Sequence, residues 1–270
     1  MVAAPLSPHY AEQSTPDARK HVGTVTRPLT VAHKLFLVVK VLSAFLGSVL
    51  FQIGSIYFYP KFSILWDGKG GIFGAWAFVV GCIFFFITTN LSFVEMIAKN
   101  TTGSATHRVL VAYNALMYVM AGVIFVLGSL YFLPELYAKA PALGCWAFLL
   151  GSIQFCLAAL GDIAFIVTTH EDPRVTGVKL GNLRCWGTVA ALGTFAGAFL
   201  FIIGSWFYLP RFIAQEDAAL AESYMYKSIN FYTTGSAFFI INSLALVPDM
   251  VAEFKAGVRV PVSKEGVDRV

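Results

Sequence analysis

The stretch Phe51-Gln-Ile-Gly-Ser-Ile-Tyr-Phe-Tyr-Pro60 returns as Phe125-Val-Leu-Gly-Ser-Leu-Tyr-Phe-Leu-Pro134 and again as Phe201-Ile-Ile-Gly-Ser-Trp-Phe-Tyr-Leu-Pro210. Each copy lies in a run without charge. The runs between Lys40 and Lys61, Lys69 and Glu95, Arg108 and Glu135, Lys139 and Asp162, Arg184 and Arg211, and Lys227 and Asp249 hold 20, 25, 26, 22, 26 and 21 residues. A helix needs roughly 20 apolar residues to cross a hydrocarbon core, and lipid leaves a spanning backbone little choice but to be helical. The sequence therefore predicts an all-α, polytopic membrane bundle of six transmembrane helices. A mean hydropathy of +0.72 with 13% charged residues excludes an ordinary soluble domain.

Gly54, Gly128 and Gly204 are 74 and 76 residues apart, so one period covers two helices. The second helix repeats as well: Gly74-x-Trp76-Ala-Phe78-x-x-Gly81-x-Ile83-x-Phe85 recurs as Gly144-x-Trp146-Ala-Phe148-x-x-Gly151-x-Ile153-x-Phe155. A third copy is reduced to Tyr232-x-x-Gly235-x-x-x-Phe239, with Asn230 in the Trp position. The expected organisation is a flexible polar tail over 1–30, tandem hairpins over 31–105, 106–178 and 179–252, and a second tail over 253–270. Three repeats inserted in the same sense can close about a pseudo-threefold axis along the membrane normal. Mitochondrial carriers also have three two-helix repeats, but the residues after Pro60, Pro134 and Pro210 do not follow the carrier charge pattern, and the likeness is one of topology.

A shorter pattern, aromatic-x-x-Gly-[Ser/Cys], marks all six helices at Gly54, Gly81, Gly128, Gly151, Gly204 and Gly235. Small residues let helix backbones approach where lipid supplies no hydrophobic force between helices. Gly54, Ser55, Gly81, Gly128, Ser129, Gly151, Gly204, Ser205 and Gly235 are therefore the expected helix-packing residues. Ser43-x-x-x-Gly47 and Gly193-x-x-x-Gly197 extend the same face. The alternative for Ser55, Ser129 and Ser205 is a ring of hydroxyls lining a polar path.

Thirteen Lys and Arg flank the ends shared with the termini, against five in the first, third and fifth connections. The positive-inside rule then places both termini in the cytoplasm or on the equivalent face of an organelle membrane. Tyr57, Tyr59, Trp66, Trp76, Tyr131, Trp146, Trp206 and Tyr208 read as an interfacial belt at the opposite face. The polar stretch before Arg27 has no signal-peptide pattern.

Ala112-Tyr-Asn-Ala115, followed by Gly122-Val-Ile-Phe-Val-Leu-Gly-Ser-Leu-Tyr-Phe-Leu-Pro134 and Gly144-Cys-Trp-Ala-Phe-Leu-Leu-Gly-Ser152, resembles the YrhK-like domain. That family is a two-helix membrane hairpin. The first hairpin matches without the Tyr-Asn, and the third matches in its first helix. The resemblance implies architecture and carries over no functional residue.

The sequence offers no catalytic, cofactor or metal site. All five His lie in tails or at helix ends, which argues against a haem held between helices. Cys82, Cys145, Cys156 and Cys185 lack zinc or disulfide spacing, and no phosphate-binding or hydrolase motif appears. Glu95, Asp162 and Asp249 close the second, fourth and sixth helices, where they can reach water or bases such as Lys99 and Arg108. Lys40 reads as an anchor snorkelling to the basic interface. Deeper polar residues are Gln52, Asn90, Asn114, Gln154, Asn230 and Asn242.

Two readings follow. One is a non-enzymatic multi-pass protein acting in membrane assembly or partner binding through Gly/Ser packing, its partners being the lipid bilayer and a membrane protein or a second copy, not nucleic acid. The other is a small transporter or channel with a polar path through Gln52, Gln154, Glu95, Asp162 and Asp249. A polar central cavity favours the second, and a dry aromatic centre favours the first.

Overall fold

Each charge-free run forms one long helix. The computed structural model describes residues 24–99, 105–169 and 177–261. The helices are α1 (Val31–Tyr57), α2 (Gly70–Lys99), α3 (Ala105–Leu130), α4 (Leu143–Thr168), α5 (Trp186–Phe207) and α6 (Ala218–Ala256). All six contain a segment long and apolar enough to cross a membrane. Thr30 caps α1 by accepting from His33 N, and Asp217 caps α6 by accepting from Ala219 N and Leu220 N. At the other end of α6, Gly257 takes the positive φ of 64° that a side chain disfavours. Asn182 closes α4 by donating to the carbonyls of Ile166 and Thr169, at 3.0 and 2.7 Å.

The three repeat prolines do more than stop α1, α3 and α5. Each opens a one-turn helix: Pro60–Ser63, Pro134–Tyr137 and Pro210–Ile213. Proline suits this first helical position because the N–H it lacks would have no intrahelical acceptor. These turns mark one end of the bundle, the proline end. The start of α1 and the end of α6 lie at the other, the terminal end.

Each long helix packs on its neighbours in sequence, and α6 packs on α1 to close a six-membered ring. Along the closing seam, the Tyr59 hydroxyl meets Asn230, Ser55 meets Ser236 at 3.3 Å, Ser48 meets Ser243 at 2.8 Å, and His33 meets Glu253 at 3.1 Å. Beyond it, Thr24–Arg27 pairs antiparallel with Val258–Pro261. The expected tails are thus partly ordered, and the boundary placed at residue 253 falls inside α6. The rest of both tails lies outside the described residues.

The seam inside each hairpin is made of glycine and aromatic rings packed against each other. A Cβ on Gly54 would come 2.6 Å from the ring of Phe78 in α2, and one on Gly81 would come 2.8 Å from the ring of Phe51 in α1. Gly151 and Phe125 repeat this between α3 and α4, as do Gly235 and Phe201 between α5 and α6, at 2.5 and 2.7 Å. The missing side chain of one helix is the seat for the ring of its partner.

Candidate functional site

The axis of the ring is the natural place for a conduit, and aromatic rings fill it. Nearest the proline end, Phe58, Phe132 and Tyr208 form a triangle with centroids 5.8 to 6.1 Å apart. Next come Phe78, Phe148 and Tyr232 at 5.8 to 6.5 Å. Then come Phe51, Phe125 and Phe201 at 5.8 to 6.3 Å. Within each triangle the residues sit at the same distance from their marker glycines, so the repeat in the sequence becomes threefold packing in space. Phe85 and Phe239 add rings below, in contact at 5.4 Å. Such pairs contribute roughly 0.5–1.5 kcal/mol each beyond the area they bury.

Tyr208 is therefore an axial residue and not part of the belt expected at the interface. Trp66, Trp76, Trp146 and Trp206 are exposed on the outside, as an interfacial belt requires. Trp206 carries the Arg211 guanidinium over its face at 4.0 Å.

The serines of the repeat do not form a ring around a path. Ser55 donates to Phe51 O at 2.8 Å, Ser129 donates to Val126 O at 2.8 Å, and Ser205 accepts from the Tyr232 hydroxyl at 2.9 Å. All three are fully buried. Membrane serines commonly bond back to their own helix in this way.

Gln52 and Gln154 do not converge either. Gln52 lies between Ser48 and Ser55 on the stripe of α1 that faces α6. Gln154 is seven residues from both Ala147 and Gly161, which face Gly128 and Asn114 of α3. The two amides thus sit on different seams. Their carbonyl oxygens are buried without a hydrogen-bond partner among the described residues.

The carboxylates behave differently from the expectation. Glu95 forms a buried ion pair with the Lys40 ammonium, and the two residues are 7% and 6% exposed. Lys40 is thus not an interfacial anchor. Its side chain leans towards the start of α1 as a snorkelling lysine does, but Glu95 leans back along α2 and meets it before water does. Asp249 is half-buried and shares a small cleft with Lys40 and Glu253 between α1 and α6. Asp162 is 2% exposed and reaches no base among the described residues. One of its oxygens accepts from Asn114 Nδ2 at 2.7 Å and the other from the Tyr118 hydroxyl at 2.6 Å. The side chains of Lys99 and Arg108 lie outside the described residues.

The ion pair of Lys40 and Glu95 and the cluster of Asn114, Tyr118 and Asp162 therefore lie in the terminal-end half, beyond the aromatic layers, and Gln52 and Gln154, on separate seams, do not extend them into a continuous path. Lys40 and Asn114 stand 14 residues before Gly54 and Gly128, so the two donors to buried carboxylates are repeat equivalents. In the third repeat this position is Ala190, fully buried.

The family model for the YrhK-like protein matches twice, over residues 34–97 and 108–166. The chain carries two tandem YrhK-like domains. The first match covers α1 and most of α2, and the second most of α3 and α4. The third hairpin lies outside both matches and joins them through shared register and through the ring it closes. No curated protein and no solved structure gives a significant match.

Proposed function

We propose that this tandem YrhK-like protein is a non-enzymatic, multi-pass component of a membrane, acting in membrane assembly or by binding a membrane-protein partner or a second copy. Both termini are placed on the cytoplasmic or equivalent face by the positive-inside bias. The observation that supports this reading best is the axis: three triangles of aromatic rings occupy the line along which a solute would travel. The Gly/Ser faces are engaged inside the ring, so a partner would meet the outer apolar wall and its belt of tryptophans.

The transporter reading needs Gln52 and Gln154 to carry a path from the polar groups of the terminal-end half through the aromatic layers, and one variant separates the two. Gln52→Leu combined with Gln154→Leu should leave the purified protein at least as stable as wild type, because it removes buried oxygens that lack partners, an arrangement costing about 1–3 kcal/mol per group. Reconstituted in liposomes, wild type and double variant should show the same background solute flux, while crosslinking in native membranes captures a specific complex. Flux above background in wild type that the double variant loses would move the assignment to a transporter.

A further inference from the structure

We propose that Arg211, held against Trp206, binds the phosphate of a phospholipid in the leaflet at the proline end of the bundle. Trp146 in α4 and Trp206 in α5 meet edge to face across the seam between the second and third hairpins, their centroids 6.5 Å apart. Both are exposed on the outer wall. Arg211 stands directly behind Pro210 in the one-turn helix Pro210–Ile213, so its backbone is fixed at the end of α5, and Gln215 Nε2 donates to its carbonyl at 3.1 Å. The guanidinium carbon lies 4.0 Å from the centroid of the Trp206 ring and 4.7 Å from that of Phe212. A guanidinium resting on ring faces commits none of its N–H donors to them, because these lie in its own plane. Arg211 is exposed, so the fork is held in place with its edge open. Two parallel N–H bonds to phosphate oxygens are the contact that such a fork makes best.

The depth and the surroundings of the guanidinium fit a lipid and not a soluble anion. Belt tryptophans sit at the level of the headgroups, and Arg211 follows Trp206 on the water side. Deeper along the wall, Leu150 and Phe199 are exposed on the same faces, four residues from Trp146 and seven from Trp206, so an acyl chain can lie beneath the phosphate. The repeat supplies an internal contrast. At the seam between α2 and α3 the equivalent residues are Trp76, Leu130 and Glu135, and a carboxylate there repels phosphate. At the closing seam they are Asn230, Ile56 and Lys61, a base with neither indole. Of the three equivalent seams, the one between α4 and α5 alone combines both indoles with a guanidinium. The site rests on the proposed function only in needing a lipid-facing outer wall, whether or not a protein partner also binds there.

Native mass spectrometry of the purified full-length protein, titrated in detergent with phosphatidylglycerol or with diacylglycerol of the same chains, tests the site. Wild type should hold phosphatidylglycerol at least about tenfold more tightly than the phosphate-free lipid, and Arg211→Gln should lose about tenfold in that affinity, as removal of a charged hydrogen-bonding partner does. Trp206→Leu keeps the guanidinium but not its platform and should lose severalfold. Glu135→Gln, at the equivalent position of the second repeat, should bind as wild type does. Glycerol phosphate, which has the headgroup phosphate without chains, should not displace the lipid. Equal binding of the two lipids by wild type, an Arg211→Gln protein that binds as wild type does, or an equal loss in Glu135→Gln overturns the site, and displacement by glycerol phosphate overturns a lipid as its occupant. If Trp206→Leu does not fold, Arg211→Lys replaces it: charge without the planar fork should still lose severalfold, and full retention overturns the site. The readout is on isolated protein, so a missing partner complex in native membranes leaves it unaffected.

Discussion

Lys40→Met should lower the stability of the folded bundle by about 3–5 kcal/mol, the cost of removing one member of a buried ion pair. Lys40 and Glu95 are both almost wholly buried, and Asp249 and Glu253 line the same cleft as Lys40. Taking away the ammonium leaves three carboxyl groups around a site that has lost its cation. The double variant Lys40→Met, Glu95→Leu should recover most of the loss, because well-packed apolar residues commonly replace a buried pair at little cost. The measurement is the unfolding midpoint of both proteins in one detergent. A single variant as stable as wild type would mean that Lys40 reaches water and that the pair is not structural.

Gly197→Leu should be comparably damaging, through packing instead of charge. A Cβ at Gly197 would stand 2.9 Å from the carbonyl oxygen of Gly235 and 3.0 Å from the ring of Phe239. The first obstacle is backbone, which cannot rotate aside, so α5 and α6 must separate. Overpacking of this kind costs about 1–3 kcal/mol in soluble cores and more when backbones are forced apart. Folded recovery after extraction should fall severalfold. Gly128→Leu should also destabilise, its first obstacle being the Ala147 methyl at 2.7 Å. Gly181→Leu is the control: no atom lies within 4 Å of a Cβ there, and the change should stay within about 0.5 kcal/mol of wild type. Equal behaviour of all three variants would contradict the seams described above.

The six helices and their pairing into hairpins were legible in the sequence because both depend on local facts: uncharged length and a glycine register. The threefold aromatic axis was half legible. The aromatic three residues before each marker glycine was visible in all six helices, but a one-dimensional pattern does not say that the ring seats against the glycine of the partner helix. The closing seam was not legible. Ser48 and Ser243 look like any small residues in an apolar run, and their contact spans 195 positions. The buried position of Lys40 was not legible for the same reason, since its partner is 55 residues away and only packing shows that Glu95 leans towards it. Tyr118 is one of many aromatics in the sequence, and nothing local sets it apart. Its signal was available in register, as the one large residue among Ala44, Tyr118 and Thr194, each ten residues before a marker glycine.

The central claim is that one chain closes on itself, its last helix against its first. The direct measurement replaces Cys82, Cys145, Cys156 and Cys185 by Ala, introduces Ser48→Cys with Ser243→Cys, and oxidises the protein in native membranes. The hydroxyl oxygens of the two serines are 2.8 Å apart, so a closed ring should give a disulfide within a single chain, seen as a faster-migrating monomer that reverts on reduction. A disulfide only between separate chains, or none within one, would contradict the closed ring.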